Sequence, residues 1–99
     1  MIVNVLDWAE RDLEKGKEFY DEQGSGIGDY FVDSLVADLE SLAIFAGIHT
    51  KRGRFHRSLA HTFPYAIYYT VDAEEVKVWA VLDCRRAPSW IDRQLRRRR

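Results

Sequence analysis

Three histidines, one cysteine and a set of arginines are the side chains of this sequence whose chemistry goes beyond packing. The histidines are His49, His56 and His61. An imidazole can serve as general acid or base near neutral pH. None of the three has metal-ligand spacing, such as two histidines one turn apart on a helix, and no carboxylate or cysteine joins them. No metal or other cofactor is therefore expected. Arg54 and Arg57 flank His56, and positive neighbours favour the neutral imidazole that a general base requires. Cys84 precedes Arg85 and Arg86. Nearby cations favour a thiolate, but no nucleophile signature surrounds Cys84, which reads as a small buried thiol.

The basic residues carry more information. Of 15, 11 are arginine, the side chain suited to bidentate contacts with phosphate or carboxylate. Lys51, Arg52, Arg54 and Arg57 form one group, Arg85 and Arg86 a second, and Arg93 with Arg96 to Arg99 a third. Phe55, Phe63, Tyr65, Tyr68, Tyr69, Trp79 and Trp90 are interleaved with them. Basic and aromatic residues together fit a nucleic-acid surface. They also fit a face that docks an acidic peptide which folds on binding. At least four of the seven aromatics are expected in the core. The charge is split along the chain: residues 1–46 carry 11 acidic and 3 basic side chains, residues 47–99 carry 5 and 12, and the formal total is only −1.

Those side chains must be positioned by a short list of elements. Ile2, Val3, Val5 and Leu6 suggest a strand. Asp7 with Glu10 three residues later reads as a helix N-cap and capping box. A helix is expected over 8–23, with Ala9, Leu13, Gly16 and Tyr20 on its apolar face. Gly24-Ser25-Gly26-Ile27-Gly28 breaks it, with Gly24 as the residue after the helix end. No Gly-Lys-Ser/Thr follows and no strand precedes, so a phosphate loop is rejected. A second helix spans 29–46, its stripe made of Phe31, Leu35, Leu39, Leu42 and Ala46. Residues 49–54 read as a basic loop. Strands are expected over 55–60, 63–71 and 76–82, the middle one apolar on both faces and so covered on both sides. A short helix over 89–95 ends in the Arg96–Arg99 tail. The fold class is α+β: an antiparallel two-helix hairpin on an antiparallel sheet, in the order β-α-α-β-β-β, with a short C-terminal helix. Residues 1–99 are expected to be one domain.

Composition excludes several classes. Hydrophobic residues are 46% and charged residues 31%, as in an ordinary globule. No apolar run approaches the roughly 18–20 residues of a membrane span. Met1 to Asp7 lacks the regions of a signal peptide. One cysteine forms no internal disulfide, and a reducing cytoplasm is the expected compartment.

The element order, together with Ala9-Glu10-Arg11-Asp12-Leu13, Phe63-Pro64-Tyr65-Ala66-Ile67-Tyr68-Tyr69 and Val81-Leu82-Asp83-Cys84-Arg85-Arg86-Ala87-Pro88, resembles the RelE/ParE superfamily of bacterial type II toxins. The resemblance implies a helical hairpin on a curved sheet and growth inhibition relieved by a cognate antitoxin. That antitoxin would be encoded beside the toxin and wrap it with its C-terminal segment. RelE-like members cut messenger RNA in the ribosome, whereas ParE-like members poison DNA gyrase. The RNA-cutting type places an arginine in the central strand, an arginine after the last strand and a tyrosine near the C-terminus. Here those positions fall on Ala66, Arg85 and Ile91. A nuclease would then have to use His56 (or His61), Arg57 and Arg85, while the Pro-Tyr-x-Ile-x-Tyr pattern looks ParE-like. The residues expected to contact target or antitoxin are Lys51, Arg52, Arg54, Arg85, Arg86 and Trp90.

Overall fold

The computed structural model describes residues 1–98. Its elements are β1 (Ile2–Val5), α1 (Asp7–Gln23), α2 (Ile27–Phe45), β2 (Lys51–Arg52), β3 (Phe55–Leu59), β4 (Tyr65–Asp72), β5 (Glu75–Asp83) and α3 (Pro88–Arg97). One five-stranded sheet has the order β1-β5-β4-β3-β2, with β1 parallel to β5 and the other pairs antiparallel. This is the α+β plan expected from the sequence, except that β1 joins the sheet in parallel and one strand is added. Lys51 and Arg52, expected in a loop, pair with His56 and Phe55 as a short edge strand.

The central strand organises both layers. Tyr65, Ala66, Ile67, Tyr68 and Tyr69 are all buried. Alternation sends Tyr65, Ile67 and Tyr69 towards the hairpin, where they meet Ala9 of α1 and Phe31, Leu35, Leu39 and Leu42 of α2. Ala66 and Tyr68 face the other way and pack with Phe55, Ala80 and Leu82 beneath Ile91 and Leu95 of α3. Four of the seven aromatics (Phe55, Tyr65, Tyr68 and Tyr69) are thus buried in the core. A register shift between Tyr68 and Tyr69 leaves Trp79 as an extra residue on β5.

Close helix packing depends on two glycines. A Cβ on Gly16 would lie 2.5 Å from the Phe31 ring, and one on Gly28 2.2 Å from the Asp21 carboxylate. Gly28 N–H donates to that carboxylate at 2.9 Å. The left-handed residue of the turn is Gly26, with φ 81°. Gly24, expected there, is extended, and its N–H still bonds the Tyr20 carbonyl. Two other boundaries differ from expectation. Asp7 is the first residue of α1 and caps nothing, because Leu6 N–H is held by the Val78 carbonyl and the strand runs straight into the helix. α2 starts at Ile27, Tyr30 N–H bonding back to Gly26.

The C-terminal run departs most from a solvated tail. α3 continues to Arg97, and Arg98 is buried in a bidentate ion pair with Asp12 of α1. β1 ends at Val5, opposite Val78, so the outer edge of β5 beyond that point has no strand partner. Asp12 and Arg98 take its place: Val81 N–H donates to Asp12 at 2.9 Å, and Arg98 donates to the Trp79 carbonyl at 3.2 Å. Arg99 lies outside the described residues. Among the described residues no helix is long and apolar enough to cross a membrane.

Candidate functional site

The predicted site residues separate into three places. The first is a groove of about 670 Å³ between the β2–β3 turn and α3, lined by Arg52, Arg54, Phe55, Asp92, Leu95 and Arg96. Gly53, at the lip, takes φ 62°, which lets the chain reverse between two arginines. Arg52 Nε bonds the Asp92 carboxylate at 3.0 Å and its Nη2 reaches the Pro88 carbonyl at 3.4 Å, which ties the edge strand to the start of α3. The Arg54 guanidinium lies 4.4 Å from the Phe55 ring centroid and 4.7 Å from that of Trp79, and donates to the Arg98 carbonyl at 3.4 Å. Both rings lie within cation–π range of this guanidinium. Lys51 is exposed on the same edge strand.

The second place is the corner where β5 leaves the sheet. The Asp83 carboxylate receives Arg85 Nε at 3.0 Å, Nη2 at 2.8 Å and the Arg85 backbone N–H at 2.8 Å. These bonds hold Asp83 below the ordinary carboxylate range and raise the already high Arg85 pKa. The Arg85 side chain remains 57% exposed, a fixed cation at the surface. Arg86 stacks on Trp90, its Cζ 3.8 Å from the ring centroid. The corner opens onto a groove of about 300 Å³ that also includes Lys15, Phe19 and Tyr65. Burial, with Asp83 nearby, pushes the Tyr65 hydroxyl up to about 12, so it stays a neutral donor.

The third place is on the hairpin side of the sheet. The His56 ring stacks on Tyr69 at 5.0 Å, and its Nδ1 lies 2.7 Å from the His49 carbonyl. A carbonyl only accepts, so Nδ1 carries the proton. Tyr69 Oη accepts from Gly47 N–H at 2.9 Å and lies within hydrogen-bond distance of His49 Nδ1, at 2.6 Å. Burial, and then the neighbouring His56, lowers the His49 pKa and favours the neutral ring.

Arg57 follows His56 on β3 and so points to the opposite face, as alternation requires. There it bonds the Tyr68 hydroxyl at 3.4 Å and Cys84 Sγ at 3.7 Å. The Tyr68 bond is the main reason its pKa rises. The structure therefore brings Arg57 to Cys84, next to Arg85, and keeps His56 on the other side of the sheet. His61 Nδ1 lies 2.6 Å from the Asp38 carboxylate of α2, and His61 shares with His49 and Arg57 the lining of a pocket of about 500 Å³. Cys84 is half-buried rather than buried. Among the described residues no group of three or more His, Cys, Asp or Glu is placed to hold a metal ion.

Asp12, Arg98 and Asp38 are buried polar residues that the sequence did not single out. Asp12 did carry a signal: it lies three after Ala9 and four before Gly16, on the buried stripe of α1. Nothing in a run of four arginines marks one as buried.

A family model described as "ParE toxin of type II toxin-antitoxin system, parDE" matches residues 3–88. No curated protein matches the sequence. Among solved structures, a chain of the chromosomal ParDE TA system from P. aeruginosa superposes with a TM-score of 0.74 at 16% identity, covering 82% of this chain and 92% of that one. At that identity the likeness shows a shared fold.

Proposed function

Since the chain belongs to the ParE toxin family of type II toxin–antitoxin systems, we propose that it acts in the cytoplasm as one toxin domain by binding a protein target, DNA gyrase, and not by cutting ribosome-bound messenger RNA. Its counterpart in such a system is an antitoxin. The observation that carries this reading is the burial of Ala66 and Ile91, 0% and 4% exposed, against each other's neighbours in the α3-side core. These are the positions at which the RNA-cutting resemblance calls for a central-strand arginine and a C-terminal tyrosine. The Tyr68 hydroxyl on that face is taken up by Arg57. Cleavage by 2′-hydroxyl attack requires a base, an acid and charge stabilisation in one place, and His56 lies across the sheet from Arg57 and Cys84.

The corner formed by Arg85, Arg86 and Trp90 is the proposed target contact. A rigid, exposed guanidinium beside a cation-stacked indole matches the residue types that dominate binding energy at protein interfaces. The test is induction of the protein in a bacterial host, with cellular RNA ends and supercoiling of a reporter plasmid measured together. Altered supercoiling and a DNA-damage response with intact messages are expected. Cleavage of translated messages at defined codon positions would overturn the reading.

A further inference from the structure

We infer that the groove between α1 and the corner where β5 leaves the sheet receives a carboxylate side chain of the target protein, held by Lys15, Arg86 and the Tyr65 hydroxyl. The inference rests on, and deepens, the reading of that corner as the target contact. The groove, of about 300 Å³, is lined by these three residues together with Phe19 of α1 and Trp90 of α3. The Tyr65 ring belongs to the main core and is 7% exposed, yet its hydroxyl bonds no described residue. Arg98 Nε is the one buried polar side-chain atom without a partner among the described residues. The Tyr65 oxygen is therefore not sealed in, and it faces the groove that its side chain lines. A hydroxyl with an unused proton at the base of a cleft calls for an acceptor. Lys15 and Arg86 form no ion pair among the described residues, and the Arg86 guanidinium rests on the Trp90 ring.

The charges already present decide which anion fits. Asp12 and Asp83 also line the groove, but each is matched: Asp12 by Arg98, and Asp83 by Arg85. Each of those pairs is neutral as a whole, so Lys15 and Arg86 leave a surplus of positive charge. That surplus suits one incoming carboxylate. A phosphate dianion would bring a second negative charge close to Asp12 and Asp83, and a nucleic-acid strand would bring a phosphate with every nucleotide. The Tyr65 hydroxyl, with its pKa pushed up to about 12, stays protonated at neutral pH and donates. Phe19 and Trp90 add apolar surface beside the cations. An arriving carboxylate is thereby partly screened from water, which strengthens the charged hydrogen bonds it makes.

Tyr65→Phe supplies the test, because it removes one unused hydroxyl and keeps the ring that packs on Tyr20 and Phe31. Its melting temperature should equal that of the wild type, since no internal hydrogen bond is lost. Lys15→Ala removes the charge from an exposed position of α1. Binding to purified gyrase holoenzyme without DNA is measured by calorimetry for the wild type, each single variant and the double variant, at about 50 mM and about 500 mM salt. Each single change should weaken binding about tenfold at low salt, as the loss of a hydrogen bond to a charged group does. The Lys15→Ala loss should shrink at high salt, and the Tyr65→Phe loss should persist. Because both side chains hold one carboxylate, the double variant should lose less than the product of the two single losses. Wild-type affinity in Tyr65→Phe, or single losses that simply multiply, would overturn the proposal. So would losses confined to binding of a short DNA duplex or of the antitoxin. The wild type checks the underlying reading separately: a chain that does not bind gyrase refutes the target, whereas wild type and Tyr65→Phe binding gyrase equally well refutes only the groove.

Discussion

Arg98→Ala tests whether a buried ion pair stands in for a missing strand. β1 pairs with β5 only up to Val78. Beyond it, the Trp79 carbonyl and the Val81 N–H would be unsatisfied at a buried edge, and Arg98 and Asp12 satisfy them. Side chains of both residues are almost fully buried, at 5% and 7% exposure. Removing one partner of such a pair costs about 3–5 kcal/mol, because it strands a charge. The two ends of this pair are not equivalent. Asp12 is fixed in the middle of α1 and cannot leave, but it keeps the Val81 N–H, which puts Arg98→Ala near the lower limit, about 3 kcal/mol. Arg98 lies just past the end of α3 and can swing into water when its partner is lost. Asp12→Asn retains an acceptor for Val81, so its cost should be about 1 kcal/mol, that of one weakened charged hydrogen bond.

The double variant Asp12→Asn/Arg98→Ala should be about as stable as Asp12→Asn alone, because no charge is left buried. Urea unfolding at neutral pH, with unchanged m-values, measures all three. A chain of this length has about 5–15 kcal/mol in total, so each variant remains folded enough to measure. Stability of Arg98→Ala within about 0.5 kcal/mol of wild type, the range of an ordinary surface change, would refute the reasoning. So would a loss on Asp12→Asn as large as that on Arg98→Ala, which would mean that the Val81 bond and not the stranded charge dominates.

Other outcomes can be checked more simply. Gly16→Ala places a methyl 2.5 Å from the Phe31 ring in a closely packed hairpin and should lower stability by about 1–3 kcal/mol in urea unfolding. Leu39→Ala truncates a side chain that is 5% exposed in the main core and should cost about 2–5 kcal/mol by the same measurement. Arg85→Ala should abolish growth arrest with little change in melting temperature, because exposed pairs contribute about 0–1 kcal/mol; toxicity at wild-type level would remove Arg85 from the target contact. Because burial lowers the His49 pKa, the unfolded chain takes up that proton more readily. The stability His49 contributes is therefore complete above about pH 6.5 and is lost as pH falls through the folded value. His49→Gln should flatten the melting temperature between about pH 7.5 and pH 5.5. The lowered carboxylates Asp21 and Asp83 act only below about pH 4.

What the sequence revealed and what it hid have physical reasons. Phe31, Leu35, Leu39 and Leu42 repeat at helical spacing, so α2 and its buried face are evident without a structure. The doubly apolar run Tyr65–Tyr69 requires cover on both sides, which α3 supplies. The parallel pairing of β1 with β5 is less legible, since nothing local to Ile2–Val5 names a partner more than seventy residues away. The arginine groups were visible as composition, but their division was not. Whether Arg52 points to solvent or to Asp92, forty residues on, depends on where α3 docks. Likewise, His56 and Arg57 look like one catalytic pair in sequence, yet a strand must send adjacent side chains to opposite faces.

This sorting changes how the charge of the second half can act. Of its arginines, Arg98 is consumed in the core, Arg57 is held by Tyr68 and Cys84, and Arg52 is pinned to Asp92. Arg85 is fixed by Asp83 but exposed, and Arg93 and Arg97 are exposed on α3. Truncation after Leu95 would therefore remove a structural arginine together with surface ones, and loss of antitoxin binding in that variant would report unfolding of the α3 dock as much as loss of charge. Charge reversal at Arg93 and Arg97 separates the two effects. It should leave urea unfolding within about 0.5 kcal/mol of wild type, as for other exposed helix positions. It should also weaken antitoxin association at low salt and spare it at high salt. A double reversal that lowers stability as much as Arg98→Ala would mean that these side chains, too, belong to the fold rather than to its exposed positive surface.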